Sequence, residues 1–203
     1  MEQPIVFVAL LAKQKAQVLN YFLETLDAWD YPKDRIHIYI RTNNNTDNTE
    51  EILADWIGRN AQVYRSIAFE TKDVAQRVQD LDVHEWTGER FRVLAKIRQE
   101  SLRQCLLTDA DYYFVVDLDN FLYPDTLKEL VKLQLPIVAP LLRYAIATGE
   151  HSDTPVEAAK IEGHRGQFYS NYHHLVDDYG SIVANDVYYK ILDQTIKGLI
   201  ECD

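Results

Sequence analysis

Tyr112-Tyr113-Phe114-Val115-Val116-Asp117-Leu118-Asp119-Asn120 is an apolar run that ends in two carboxylates one residue apart. Aromatic and β-branched residues over that length predict a buried strand. Alternation along a strand sends positions i and i+2 to the same side. Asp117 and Asp119 are therefore expected to point together where the chain leaves the sheet. Carboxylates held that close repel, which raises one pKa unless a cation neutralises them. The pair predicts a divalent-metal site of hard oxygen ligands suited to Mn²⁺ or Mg²⁺. A turn acid followed by a helix-cap acid is the plainer alternative, but it rarely sets two facing acids after such an apolar run.

Working outward, Ile5 to Leu11 reads as a buried strand and Lys13 to Ala28 as a helix with Val18, Phe22, Leu23 and Leu26 on its apolar face. Arg35 to Thr42 alternates as a second strand. Asp47 or Asn48 is placed to cap a helix starting near Thr49. Gln62 to Ile67 reads as a third strand and Glu70 to Glu85 as loop. A long helix is expected over Thr87 to Leu107, with Phe91, Leu94, Ile97, Leu102 and Leu106 inward and an imperfect capping box at Thr87 to Arg90. The dicarboxylate strand follows, then a helix from Pro124-Asp125 to Leu133 and a strand at Ile137-Val138-Ala139. This alternation predicts an α/β fold, a Rossmann-like central sheet flanked by helices. Beyond Pro140, Tyr144 to Gln167 reads as loop, Tyr169 to Val187 as short antiparallel strands, and Val187 to Leu199 as a closing helix. One domain over 1–203 is expected, with a nucleotide-binding half of about 1–120 and an acceptor and sugar half of 121–203.

Composition narrows the functional classes. The net charge of −11 disfavours general binding to nucleic acid or anionic membranes. No apolar run reaches the length of a membrane span. The start, Met1-Glu2-Gln3-Pro4-Ile5, has no basic leader region, and Lys13 interrupts the first apolar segment, so the expectation is a soluble, cytoplasmic chain. Cys105 and Cys202 do not form a disulfide framework or a zinc motif. Oligomeric state leaves no mark in the sequence.

Two chemistries use acids at this spacing. In a nucleotide-sugar glycosyltransferase they hold the metal that bridges the donor diphosphate. In a haloacid-dehalogenase-type phosphatase Asp117 would be the nucleophile and Asp119 the general acid. Against the second, that motif opens its fold on the first strand, and Phe121 stands where a phosphate-binding hydroxyl is needed. Arg41-Thr42-Asn43-Asn44-Asn45-Thr46-Asp47 lies at the carboxyl end of the second strand, the ligand-binding edge of an open sheet. Its amides and carboxylate suit a base and ribose, and equally an Asx-rich turn with a helix cap. Arg98 is a guanidinium fit for a diphosphate, although a mid-helix Arg is usually only solvated. Phe168-Tyr169-Ser170-Asn171-Tyr172-His173-His174 gathers rings and amides fit for a sugar, and Asp177 and Asp178 are candidate bases.

Blocks from Val6 to Pro140 make the chain similar to the glycosyltransferase domain of the procollagen galactosyltransferases, glycosyltransferase family 25. They are Ala9-Leu10-Leu11-Ala12-Lys13, Asp30-Tyr31-Pro32, Thr42-Asn43-Asn44-Asn45-Thr46-Asp47-Asn48-Thr49, Trp86-Thr87-Gly88-Glu89-Arg90, Gln99-Glu100-Ser101-Leu102, Ala110-Asp111-Tyr112-Tyr113, Asp117-Leu118-Asp119-Asn120 and Leu135-Pro136-Ile137-Val138-Ala139-Pro140. Tyr169-Ser170-Asn171-Tyr172 resembles a further segment of that family. The resemblance implies a GT-A fold and metal-dependent transfer from a UDP-sugar, with inversion, to a glycan or protein acceptor. It implies Asp117 and Asp119 on the Mn²⁺ or Mg²⁺ ion, and Leu11, Ala12, Thr42, Asn43, Asp47, Arg98, Asp117 and Leu118 around the nucleotide. Tyr169 and Asn171 would then face the sugar, with Asp178 as the base. Family members continue into a Val-His segment whose His completes the metal site. The chain ends at Glu201-Cys202-Asp203, about where that segment should begin, so the third ligand is expected beyond Asp203 and the end is read either as a truncation or as a divergence from the family. Without a secretory signal, a microbial or viral glycan is the expected acceptor rather than collagen. A non-catalytic sugar-nucleotide-binding module is the remaining alternative.

Overall fold

Strand β1 (Val6–Ala12) is buried along its length except at half-buried Leu11. The reason is that it has a parallel neighbour on each side and helices on both faces, which is what a continuous apolar run requires. β1 pairs with β2 (Ile36–Thr42) on one side and with β4 (Tyr112–Asp117) on the other. β3 (Ser66–Thr71) pairs with β2, giving the all-parallel order β3-β2-β1-β4. The computed structural model describes residues 2–75, 87–118, 120–138, 142–143 and 168–169.

Alternation sorts the side chains of the sheet into two layers. Val6, Val8, Leu10, Ile36, Ile38 and Ile40 face Leu19, Phe22, Leu23 and Leu26 of α1 (Ala16–Asp27), Leu53 and Trp56 of α2 (Thr49–Asn60), and Leu127 and Val131 of α4 (Thr126–Lys132). Each such side chain taken fully from water contributes about 1.5–3 kcal/mol. Phe7, Ala9, Tyr39, Tyr113 and Val115 line the opposite face with Cys105 of α3 (Gly88–Cys105). There the Phe7 ring lies between Tyr39 and Tyr113, with centroids 6.0 and 6.2 Å away. Helices on both faces of a parallel sheet make the expected doubly wound α/β layer.

Three expectations are corrected. β3 begins at Ser66 rather than Gln62, because Tyr64 is used elsewhere: its ring packs 5.5 Å from Trp56 and its hydroxyl donates to Asp27. α3 turns a different face inward. Phe91, Leu102 and Leu106 are exposed, whereas Ser101 and Cys105 are buried. Ile137 and Val138 form no strand, and Ile137 is 88% exposed. Two β-branched residues carry propensity, but they have no strand partner among the described residues.

The chain divides into two compact units, Met1–Leu135 and Pro136–Asp203. The sheet and its four helices belong to the first. In the second, β5 (Leu142–Arg143) and β6 (Phe168–Tyr169) pair antiparallel, Leu142 opposite Tyr169. Asp119, Asn171 and Asp178 lie outside the described residues, as do Tyr144 to Gln167 and the closing helix read from Val187. Among the described residues no helix is long and apolar enough to cross a membrane.

Candidate functional site

Parallel strands end together, so their carboxyl ends form one rim. Ala12 is paired with Thr42, and Leu11 with Asp117. The chain moves outward from β1 through β2 to β3, then returns to the other side of β1 as β4. At such a reversal the loops diverge and leave a crevice beyond the strand ends. Leu11 and Asp117 sit directly beside it.

Asp117 shares the strand face of Tyr113 and Val115, which is the face that α3 covers. Arg98 of α3 reaches it there. One terminal guanidinium nitrogen stands 3.5 Å from each carboxylate oxygen. The two side chains are 41% and 46% exposed, Arg98 first. At that distance and exposure the contact is a loose ion pair rather than a strong hydrogen bond. Arg98 Nε is buried and has no hydrogen-bond partner among the described residues.

Ser101, one turn further along α3, fixes this arrangement. Its hydroxyl donates to the Arg98 carbonyl at 2.7 Å and meets the Tyr113 hydroxyl at 2.7 Å. Burial pushes the Tyr113 hydroxyl above its ordinary pKa, against the opposing pull of Ser101 and Arg98. The phenol therefore stays neutral as a bridge between α3 and β4. The inward face of α3 thus carries Arg98 and Ser101 as well as Cys105, so an apolar stripe could not reveal it. Ser101 and Tyr113 escaped the sequence reading; their one signal was a small hydroxyl one turn beyond Arg98.

The loop after β2 is mostly occupied with its own structure. Asn44, at φ 45°, receives the Val74 N–H (3.0 Å) and donates to the Val74 carbonyl (3.2 Å). Asn45 accepts the Gln14 N–H at 2.9 Å and donates to Thr42 and Glu50. Asp47 accepts the Ala16 N–H at 3.1 Å and the Thr49 N–H at 3.2 Å, so it serves the first turns of both α1 and α2. Burial raises the Asp47 pKa, but the hydrogen bonds from Thr49 and Ala16 outweigh it and leave the carboxyl below its ordinary range. Thr42 is fully buried, and Asn43, 8% exposed, donates to the Asn44 side chain at 3.0 Å. Ala12 is buried and Leu118 lies within the main core, so at the rim these two offer a ligand backbone atoms rather than side chains.

β4 ends at Asp117, and the Asn120 N–H bonds back to the Asp117 carbonyl at 3.0 Å. Strand alternation, the basis for pairing Asp117 with Asp119, therefore stops at Asp117. The half-exposed Asp117 carboxylate is a hard-oxygen donor of the kind a divalent cation takes, while the Arg98 guanidinium beside it opposes a second positive charge there. Among the described residues no cluster of three His, Cys, Asp or Glu side chains could hold one. Tyr169 is placed in β6 by its backbone.

Residues 3–151 match the family model described as Glycosyltransferase family 25, N-terminal domain. A Drosophila melanogaster protein named Glycosyltransferase 25 family member is 39% identical over 143 residues, covering 70% of this chain and 23% of that one. Mouse procollagen galactosyltransferase 2 is 36% identical over 143 residues, covering 70% and 23%. The mouse Inactive glycosyltransferase 25 family member 3 is 35% identical over 141 residues, covering 68% and 24%. The chain spans about a quarter of the length of these curated relatives. Among solved structures, a Pyrobaculum calidifontis mannosyltransferase in complex with GDP-Man and Mn²⁺ is 18% identical, with a TM-score of 0.46 and coverage of 68% and 34%.

Proposed function

The chain belongs to glycosyltransferase family 25, and from that premise we propose that it transfers a hexose or related sugar from a UDP-sugar to a hydroxyl of a glycan or protein acceptor, with inversion. The observation that carries the proposal is the placement of Asp117. Its carboxylate lies at the carboxyl end of β4, level with Leu11 across the strand-order reversal, with the Arg98 guanidinium beside it. A phosphate-bearing ligand is expected at that crevice. Family membership sets aside the reading of Asp117 as a phosphatase nucleophile.

Asp117 and Asp119 would hold a Mn²⁺ or Mg²⁺ ion, which when bound supplies Lewis-acid neutralisation of the departing diphosphate. Arg98 binds the diphosphate oxygens. The rim at Leu11, Ala12 and Leu118 offers backbone groups to the nucleotide, and the Asn43 amide is the polar side chain nearest that role in the loop after β2. Thr42 and Asp47 shape that loop from within. Tyr169 and Asn171 would face the sugar, and Asp178 would take the proton of the acceptor hydroxyl.

A second reading, binding without turnover, is favoured by one specific observation: a relative of similar identity is named inactive. Calorimetry and catalysis separate the two. UDP is expected to bind in the presence of Mn²⁺ and to lose at least about tenfold in affinity in Asp117→Asn. A panel of UDP-sugars with Mn²⁺ is expected to yield free UDP. UDP binding that is indifferent both to Mn²⁺ and to Asp117→Asn would refute the proposal. Metal-dependent binding without UDP release would leave the binding module.

A further inference from the structure

The carboxylate at the rim already has a cation beside it. A single Arg98 nitrogen stands equidistant, at 3.5 Å, from both oxygens of Asp117. We propose that Arg98 is the exchangeable counter-ion of Asp117. It faces the carboxylate in the absence of donor, opposes a bare divalent cation there, and turns to the diphosphate when cation and diphosphate arrive together. This inference rests on the function proposed above and adds to it a coupling between cation and diphosphate.

Three observations support the exchange. The contact is loose and half-exposed, so little holds the guanidinium in place. Arg98 Nε is buried with no acceptor among the described residues, an N–H able to gain from an oxygen-rich ligand. The backbone beneath is fixed, because Ser101 ties the Arg98 carbonyl to Tyr113 on β4. The change is therefore one of side-chain rotamer on a stationary helix.

Charge supplies the direction. A divalent cation alone on Asp117 would face the full positive charge of Arg98, and like charges within a few ångströms repel strongly where water screens them only in part. A diphosphate placed between the two turns that repulsion into two attractions. Cation and nucleotide should then each raise the affinity of the other, by the same factor.

Arg98→Met tests this, since Met keeps helix propensity and length while removing the charge. Calorimetry with Mn²⁺ alone is expected to show Arg98→Met binding about tenfold tighter than the wild type, as befits a lost contact charge at a half-screened site. In the presence of Mn²⁺ the same variant is expected to bind UDP about tenfold more weakly. Arg98→Lys, which keeps the charge, should stay near the wild type for Mn²⁺ alone. The gain should vanish in an Asp117→Asn background, which excludes other acidic sites. Thermal unfolding checks that each variant is folded. If Arg98→Met binds Mn²⁺ alone no more tightly while the wild type binds UDP with Mn²⁺ normally, the counter-ion role is overturned and the proposed function stands. If the wild type takes up no UDP with Mn²⁺, the proposed function falls, and this inference falls with it.

Discussion

Asp109 shows how much a single side chain can organise. It accepts from Arg65 at 3.2 and 2.5 Å and from His37 Nε2 at 2.9 Å, while His37 Nδ1 meets the Ser66 hydroxyl at 2.7 Å. The starts of β2 and β3 and the turn before β4 are thereby tied at the amino edge of the sheet, opposite the ligand rim. Hydrogen bonds from Arg65 and then from His37 bring the Asp109 pKa down from 3.8 to about 2. A carboxyl depressed in the folded state stabilises the fold above its unfolded value, and that contribution is lost as pH falls from about 4 toward 2. The expected outcome is that the unfolding free energy of the wild type, followed by urea titration across that interval, falls more steeply than that of Asp109→Asn. Equal slopes would show that the tie does not contribute.

At the scale of elements, the helix starts carry the argument. Asp47 serves two of them at once, so Asp47→Ala is expected to cost about 1 kcal/mol of stability or somewhat more, measured by urea unfolding. UDP affinity in the presence of Mn²⁺ should stay unchanged in that variant, and a loss of affinity out of proportion to stability would instead put Asp47 on the nucleoside. Much of this level was legible in the sequence. The period-2 and continuous apolar runs of β1, β2 and β4 announced themselves, and Asp117 was placed at a strand end by the abrupt stop in hydrophobicity. What was not legible has a physical cause in each case. β3 is an edge strand whose half-exposed residues give little periodicity. α3 was read by its apolar residues, but its inward face is partly polar because it borders the rim. The Asn44 and Asn45 side chains could have served a ligand or a turn, and only coordinates show that their amides are spent on Val74, Gln14, Thr42 and Glu50. The pairing of Asp117 with Asp119 rests on strand alternation that runs as far as Asp117, and Asp119 itself lies outside the described residues.

For the molecule as a whole, the decisive property is the strand order. Placing β4 beside β1 rather than outside β3 sets Asp117 against Leu11, where a crevice between diverging loops is expected. It also makes β1 the shared centre of both layers. Leu10, fully buried on the face of α1 and α2, is where that centrality can be measured. Leu10→Ala is expected to destabilise the first unit by about 2–5 kcal/mol in urea unfolding. A cost under about 1 kcal/mol would mean that the layer reforms around the gap. The net charge of −11 adds a constraint at the same scale. The proposed polyanionic donor would approach a repelling surface, so its attraction would have to come from local positive charge at the rim, where Arg98 is placed.

The last turn of α3 places Cys105 against Phe7, Ala9 and Tyr39, and burial raises the pKa of its thiol. Sealed and protonated there, the sulfur is shielded from alkylating reagents for as long as the helix stays down. It becomes reactive only in the moments when α3 lifts away. The chain therefore carries its own clock for the opening of the helix on which Arg98 rides.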